Sequence, residues 1–136
     1  MSNMAFDSTV GTVLTKEDIF EIRKEINNVK LSESLEKYII ELIFATRDPA
    51  AYGMKEEAHY IQFGASPRAS INLNLAAKAV AFLDGRDFVL PEDIKDVAPD
   101  VLNHRMILNY EAEADGVTSH QLIDTILQKV NVNTMR

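Results

Sequence analysis

The pentapeptide Gly64-Ala65-Ser66-Pro67-Arg68 brings together residue types that can meet an anion. Ser66 is a favourable N-cap residue, and Pro67 suits the first position of a helix, where its missing N–H costs nothing. A helix N-terminus carries partial positive charge and free N–H groups. An arginine in the first turn is unfavourable for the helix alone, but it fits an approaching phosphate. The alternative is an ion pair between Arg68 and one of the chain's many carboxylates.

The other side chains with chemical potential form no recognisable site. The histidines His59, His104 and His120 form neither an HExxH motif nor an i, i+4 pair of ligands, so no metal site is predicted. The acids of Glu111–Asp115 alternate, but a calcium loop needs a longer ligand ladder with a central glycine, so a solvated acidic face is expected. A P-loop, a GxGxxG motif and a GxSxG elbow are all missing from the sequence. We therefore expect no catalytic residue and no enzyme activity in this chain alone.

The composition fits one globular domain. The chain has 136 residues, of which 46% are apolar, and it contains no cysteine, which removes disulfides, thiol catalysis and cysteine-based zinc sites. Fourteen basic and twenty-one acidic residues give a net charge of −7, which argues against binding to naked nucleic acid. No apolar run is long enough to span a bilayer, and no signal peptide opens the chain. We expect a cytoplasmic protein without membrane insertion.

The first part of the chain predicts a tail followed by two helices. Residues 1–14 show no helical period and are expected to be a tail or tag remnant plus a linker. Thr15 and Asp18 form an imperfect capping box for one helix, and Ser32 starts a second helix that ends near Arg47, before a proline. The apolar stripe of the first helix comprises Ile19, Ile22, Ile26 and Val29, and that of the second comprises Leu35, Tyr38, Ile39, Leu42 and Ile43.

The middle of the chain predicts an irregular segment followed by the best-marked helix. Residues 47–65 are expected to be irregular, with a weak strand or turn at Tyr60–Phe63. The helix starts at Ser66 and ends at Asp84-Gly85, where glycine can take the left-handed conformation. Its expected buried stripe comprises Ile71, Leu75, Ala79, Phe82 and Leu83, while Ala69, Ala76, Ala77 and Ala81 would allow a neighbouring helix to approach closely.

The last third of the chain predicts two further helices. Pro91 opens the first of them, and Pro99 is expected to kink or divide it. Arg105–Tyr110 fits either a strand or the tail of that helix, and Thr118 with Gln121 forms a capping box for the final helix. The buried faces would consist of Ile94, Val97, Val101 and Leu102 in the first and Leu122, Ile123, Ile126, Leu127 and Val130 in the second. The predicted fold is an all-α bundle of about five helices, with room for a small β-hairpin.

Several ordered motifs between about Thr15 and Val132 resemble the C-terminal lid subdomain of the MoxR-type AAA+ ATPases. They are Ala45-Thr46-Arg47, Gly64–Ala69, Ala76–Ala79, Gly85-Arg86-Asp87, Pro91–Ile94, His104-Arg105 and Tyr110–Ala114. The resemblance implies an AAA+ lid-type bundle over residues 15–136. It also implies that Arg68 is the sensor 2 arginine, which reaches the phosphates of bound ATP. Its positioning residues would be Gly64, Ser66 and Pro67.

The same resemblance implies a larger machine around this chain. The AAA+ core, which carries the Walker motifs and the arginine finger and uses ATP and Mg²⁺, normally precedes the lid. Family members assemble as rings, commonly hexamers, and act as chaperone-like ATPases on von Willebrand factor A-type client proteins. Some were first described as methanol dehydrogenase regulators. The chain would sense ATP hydrolysed by a core that it does not contain, in its own subunit or a neighbouring one, and would itself bind no cofactor.

Some residues depart from the family pattern or leave an alternative to it. Asn103 stands where many relatives carry a basic residue, and Leu90 precedes Pro91 in place of a capping serine or threonine. Three arginines are expected to pair with acids such as Asp87, Asp93 or Asp100, the alternative being contact with the ATPase core: Arg47, Arg86 and Arg105. Taken without the resemblance, the residues also fit a stand-alone helical module for protein–protein interaction that binds no nucleotide.

Overall fold

The computed structural model describes residues 14–132, so nearly all of the expected tail over residues 1–14 lies outside the described residues. The helices are α1 (Lys16–Asn27), α2 (Glu33–Arg47), α3 (Lys55–Ala58), α4 (Ala69–Leu83), α5 (Pro91–Asn103), α6 (Tyr110–Ala114) and α7 (Ser119–Lys129). Two short strands, β1 (Ile61–Phe63) and β2 (Ile107–Leu108), pair antiparallel. The all-α class is confirmed, and the five long helices are the ones that the sequence predicts. No helix in the described part of the chain is long and apolar enough to cross a bilayer.

The strand pair is not a hairpin. Ile61 lies opposite Leu108 and Phe63 opposite Ile107, while α4 and α5 lie between the two strands in sequence. The predicted strand near Tyr60–Phe63 is therefore confirmed, but its partner comes from the Arg105–Tyr110 segment, which forms a strand and not a helix tail. The pairing ties the start of α4 to the end of α5.

Three of the predicted helix caps are present, at Thr15, Ser32 and Thr118. Thr15 and Asp18 form a reciprocal capping box, with backbone-to-side-chain distances of 3.0 and 3.1 Å. The Ser32 hydroxyl accepts a 3.3 Å hydrogen bond in the first turn of α2. Thr118 and Gln121 form a second box at the start of α7, at 3.0 and 3.2 Å. Such caps stabilise a helix by about 1 kcal/mol each, because they satisfy N–H groups that the helix cannot pair.

Helix α4 packs against α5 through its alanine side, which corrects the predicted buried stripe. The buried residues of α4 are Ala69, Leu73, Ala77 and Ala81. Three residues of the predicted stripe instead face outward: Ile71 is 60%, Leu75 43% and Leu83 82% exposed. The small side chains let the α4 and α5 backbones approach closely, as expected for the alanines. The larger apolar residues are left without a covering element in residues 14–132.

The stripe predicted for α1 is also only partly buried, whereas that of α2 is confirmed. Helix α1 contains no buried residue, and Ile19 is 43% and Phe20 65% exposed. Val29, just past the helix, is buried. All five apolar residues predicted for the α2 stripe are buried.

Two expectations of irregularity are corrected. Residues 47–65 hold a 3₁₀ turn (Pro49–Tyr52), α3 and β1, and the segment folds back on α2, where Tyr52 donates a 2.8 Å hydrogen bond to Glu41. Helix α5 continues through Pro99, so the proline does not divide it. Ala98 and Leu102 are both fully buried, and this packing holds the turn in place against the local effect of the proline.

Candidate functional site

The segment that carries Arg68 is fastened to the C-terminal end of α2. The Thr46 hydroxyl accepts a 2.9 Å hydrogen bond from the Ala65 N–H and donates one of 2.6 Å to the Ile43 carbonyl. Nη1 of Arg47 donates a 3.2 Å hydrogen bond to the Ala65 carbonyl. Both backbone groups of Ala65 are thus held by adjacent residues of α2, and Thr46 and Ala65 are fully buried. We call these contacts the α2 clamp.

Gly64 is the point where this segment comes closest to α2. A Cβ atom at Gly64 would lie 2.3 Å from the Thr46 carbonyl oxygen and 2.8 Å from Cα of Arg47. The φ angle of Gly64 lies outside the left-handed region, unlike those of Gly53, Gly85 and Gly116. Glycine is therefore required here by the lack of space next to the α2 backbone and not by its conformational freedom.

The turn into α4 is wound more tightly than predicted. The Ser66 carbonyl accepts a 2.9 Å hydrogen bond from the Ala69 N–H, and the Pro67 carbonyl accepts bonds of 3.1 and 2.7 Å from the backbone and hydroxyl of Ser70. Because these i→i+3 bonds satisfy the first N–H groups, the capping role predicted for the Ser66 side chain is taken by its backbone. Regular α-helix then begins at Ala69, and Pro67 lies in the preceding turn.

Arg68 lies in this turn with helical backbone angles (φ −63°, ψ −23°) and is exposed. In residues 14–132 its guanidinium forms no ion pair, so the alternative of a carboxylate partner finds no support in the described chain. The first turn of α4 carries no acidic residue. The positive helix end and the guanidinium are therefore left unneutralised by neighbouring side chains of this helix, and both favour an anion.

Arg86 has the structural role predicted for it. Its Nη1 and Nη2 donate 2.7 Å hydrogen bonds to the two carboxylate oxygens of Asp93, and its Nε donates one of 3.1 Å to Asp84. Asp93 is 3% exposed and also accepts a 2.7 Å hydrogen bond from the Leu90 N–H. Because the side chain of Leu90 cannot accept a hydrogen bond, this contact forms only one half of a capping box at the start of α5. Hydrogen bonds from Arg86 lower the pKa of the Asp93 carboxyl, against the opposing effect of burial. The ion pair locks the α4–α5 connection.

The Asp93 interaction gives a prediction on stability. We expect Asp93→Asn to lower the melting temperature by about 10 °C at neutral pH, because it leaves the Arg86 charge without its bidentate partner. The pKa of Asp93 is lowered in the folded state only. The stabilisation by Asp93 is therefore complete above the ordinary Asp pKa of 3.8, and it is lost as the pH falls from 3.8 through the lower folded-state pKa. Thermal melts at neutral and acidic pH measure both effects. Asp96→Asn, an exposed acid on the same helix, is the control; an equal loss in both variants contradicts the assignment.

Arg47 and Arg105 differ from the prediction that they pair with acids. Arg47 donates to the Ala65 carbonyl, as part of the α2 clamp. Arg105 is exposed and forms no ion pair with any residue that the structure describes.

The histidines and the acids of Glu111–Asp115 lie apart from the α2 clamp. His59 stands 3.9 Å from Glu111, both being exposed, and its ring lies 4.1 Å from that of Tyr60. No three His, Asp or Glu side chains within residues 14–132 come together to hold a metal ion. The three acids are exposed, as predicted, and they lie on α6 and at its C-terminal end.

Sequence reasoning missed the role of Thr46. The residue lies in an apolar helix and looks like a neutral helical position, yet it connects α2 to a segment 19 residues further on. The available signals were the threonine in an otherwise apolar turn and its place in one of the motifs shared with the MoxR-type lids.

The fold is that of an AAA+ lid domain. It combines a helical bundle with a short antiparallel strand pair and an exposed arginine at the start of α4. The family model described as "AAA lid domain" matches residues 54–126, more than half of the chain. Chaperone MoxR1 of Mycobacterium tuberculosis is 38% identical over 118 residues, covering 87% of this chain and 31% of the relative. Protein MoxR of Paracoccus denitrificans is 36% identical over 107 residues, covering 74% of this chain and 31% of the relative.

A crystal structure also matches the whole bundle. It is that of a candidate ATPase from Cytophaga hutchinsonii, with 64% identity and a TM-score of 0.89, and the match covers 95% of this chain and 39% of that one. The chain therefore belongs to the AAA lid domain family, as a lid region of the MoxR type. It spans about a third of the length of these relatives.

Proposed function

We propose that this chain is the nucleotide-sensing lid of a longer AAA+ ATPase and that Arg68 is its sensor 2 arginine. The observation that carries the proposal is the exposed guanidinium at the acid-free first turn of α4, unpaired within residues 14–132. Phosphoryl transfer is catalysed mainly by positioning and by neutralising charge on the γ-phosphate. A guanidinium fixed to a helix can therefore respond to ATP and ADP differently, and loss of the γ-phosphate would release α4 and rotate the lid.

The α2 clamp supports the positioning roles of Gly64, Ser66 and Pro67. Gly64 allows the segment to lie against α2, and the tight turn formed by the Ser66 and Pro67 carbonyls directs the chain into α4. An arginine that must reach a phosphate within about 3 Å needs such fixed support, because small displacements weaken charge stabilisation strongly.

We propose further that the lid spans residues 15–136, beyond the matched range of 54–126. Support comes from the contacts that α2 and the connection between α1 and α2 make with the matched part. The Thr46 hydroxyl holds Ala65, and the backbone of Lys30 pairs with the Asp87 carbonyl and the Val89 N–H at 2.8 and 2.9 Å. One continuous hydrophobic core includes buried residues of α2, α4, α5 and α7.

The uncovered apolar face of the bundle also fits a lid. Helices α2 and α4 flank a cleft of about 250 Å³ whose wall includes Ile40, Ile71 and Leu75. Ile40 is 47% exposed, and the nearby turn of α2 carries Phe44 at 51%. Large apolar patches on a domain mark surfaces that meet a partner. We assign this face, which we call the α2–α4 face, to the AAA+ core of the parent protein.

The rest of the proposed function belongs to the whole protein. The parent would bind ATP and Mg²⁺ in its core, assemble as a homo-oligomeric ring, commonly a hexamer, and couple hydrolysis to chaperone-like remodelling or maturation of von Willebrand factor A-type clients in the cytoplasm. Two relatives of this chain are named chaperone MoxR1 and protein MoxR. A role as a regulator of methanol dehydrogenase is included because the resemblance to the MoxR family implies it.

The isolated chain gives a direct test. We expect no ATP turnover by residues 1–136 and at most very weak ATP binding, because the sequence contains no phosphate-cradling loop. A coupled ATPase assay and isothermal titration with Mg-ATP measure both quantities, with the intact parent as positive control. Measurable turnover by the pure chain would contradict the lid assignment. The preceding part of the gene distinguishes the lid from a stand-alone module: a Walker A motif about 200 residues upstream, roughly the size of an AAA+ core, would support the lid.

A further inference from the structure

The strand pair and α6 present an apolar centre that the described chain leaves uncovered. Phe63 is 60% and Ile107 55% exposed, and the two residues lie opposite each other in the strand register. Tyr110, the first residue of α6 and three residues beyond Ile107, is 83% exposed. These side chains are distinct from the α2–α4 face, whose exposed residues lie on other elements. We call the surface around them the sheet–α6 face.

Exposed carboxylates lie on the elements next to this apolar centre. The Tyr60 hydroxyl donates a 2.7 Å hydrogen bond to Asp115, and this bond, together with the charges of Asp115, Glu111 and Glu56, raises the pKa of Tyr60. Asp115, at the C-terminal end of α6, is thus hydrogen-bonded to the residue that precedes β1, and Glu111 lies 3.9 Å from His59. Residues 55–63 and 107–115 carry five carboxylates and one lysine, Lys55. The local charge is strongly negative.

Hydrogen bonds hold the sheet–α6 face in one arrangement. The Asn109 N–H donates a 2.9 Å bond to the Tyr60 carbonyl, and its side-chain amide donates to the His59 carbonyl. The Asn109 side-chain oxygen accepts a 3.1 Å bond from Ala112 and so caps α6. A surface that is already ordered loses little conformational entropy on binding.

We propose that the sheet–α6 face docks a protein segment that presents arginine or lysine side chains around an apolar anchor. Exposed Tyr and Phe are the residue types that dominate binding energy at interfaces. The charge selects the occupant: a second copy would place two acidic rims against each other, and the chain as a whole carries a charge of −7. A basic partner neutralises the carboxylates of the sheet–α6 face while its apolar side chain covers Phe63 and Tyr110.

The test uses a short peptide of alternating arginine and leucine as the probe and one of alternating glutamate and leucine as its charge control. We expect the basic peptide to shift the amide resonances of residues 60–63 and 107–115 in a ¹⁵N-labelled sample of the full chain. Tyr110→Ser should weaken its binding about tenfold, and Glu111→Gln with Glu113→Gln about fivefold at low salt. Leu83→Ser, at a position that is 82% exposed on α4, and Glu21→Gln on α1 should leave it unchanged.

Four outcomes would overturn the proposal. The acidic peptide could bind as well as the basic one, or Leu83→Ser could weaken binding as much as Tyr110→Ser. Alternatively, the shifted resonances could lie on the α2–α4 face. A dimer in sedimentation that Tyr110→Ser dissolves would make a second copy the occupant and would equally count against a basic partner. Because the amide spectrum of each variant reports its folding, a loss of binding through unfolding is recognised directly.

Discussion

Replacing Arg68 by alanine in the intact parent is expected to lower ATP hydrolysis, or its coupling to remodelling, by about 10²-fold, the usual loss when one charge-stabilising donor is removed. The fold should be unaffected. Arg68 is exposed and its guanidinium contacts no acid in residues 14–132, so its removal should change the free energy of unfolding by less than about 0.5 kcal/mol. Steady-state ATPase kinetics and thermal melts of the same variant measure the two quantities.

Matched variants separate the role of Arg68 from a general loss of charge. Arg68→Lys keeps the charge but not the planar fork of donors, and we expect it to recover only part of the activity. Lys95→Ala removes an exposed charge from α5 and should hydrolyse ATP at the wild-type rate. If Arg68→Ala keeps wild-type kinetics and ring assembly, Arg68 is an ordinary surface arginine and the sensor assignment is wrong.

Mixed rings can decide which subunit Arg68 serves. Subunits carrying Arg68→Ala are combined with subunits whose Walker A lysine is replaced. If Arg68 acts on the neighbouring nucleotide, an intact core can meet an intact arginine across an interface, and activity reappears. If Arg68 acts within its own subunit, no site in the mixture is complete and the activity stays low.

Features with a local cause were predictable from the sequence. A capping box needs only two side chains three residues apart, so those at Thr15 and Thr118 follow directly from residue types and spacing. The buried stripe of α2 followed in the same way, because its five residues recur at helical spacing, whereas Ile40 and Phe44 lie outside this stripe and are exposed. The ion pair between Arg86 and Asp93 could be anticipated because both residues flank one short connection.

The buried side of α4 was not predictable by these rules. Leu73, Ala77 and Ala81 lie four residues apart, and so do Ile71 and Leu75 on another face. Both rows satisfy the helical period, so the sequence pattern cannot choose between them. The choice depends on which neighbours are present: within this chain the alanine row is buried, and the bulkier row stays exposed on the face that we assign to the core.

The sequence pointed to the arginine of the candidate site but not to the contacts that hold it. Arg68 followed from a short motif, whereas the α2 clamp joins residues far apart in sequence. Neither the Thr46–Ala65 hydrogen bond nor the close approach of Gly64 to the α2 backbone leaves a periodic signal. Sequence reasoning assigned Gly64 to positioning, and the structure supplies the physical contact through which it can position.

That contact gives the largest stability effect expected from a single methyl group. Gly64→Ala would place a Cβ 2.3 Å from the Thr46 carbonyl oxygen, an atom of the α2 backbone that cannot turn aside as a side chain could. We expect a loss of about 3 kcal/mol in the free energy of unfolding of the chain, measured by chemical denaturation. In the parent, the displaced segment should lower ATPase activity as Arg68→Ala does, because it carries Arg68 away from the nucleotide.

Gly116→Ala separates crowding from conformational strain. Gly116 adopts φ +71° but has no atom within 4 Å of the position a Cβ would take, so alanine there is strained without being crowded, and its expected loss is about 1 kcal/mol. Gly116 also lies outside the segment that holds Arg68, so its variant should keep the parent's ATPase activity. Gly64→Ala could instead lower the free energy of unfolding by less than Gly116→Ala does and leave the ATPase activity normal. In that case α2 can move away from the segment. The clamp would then not be what fixes Arg68.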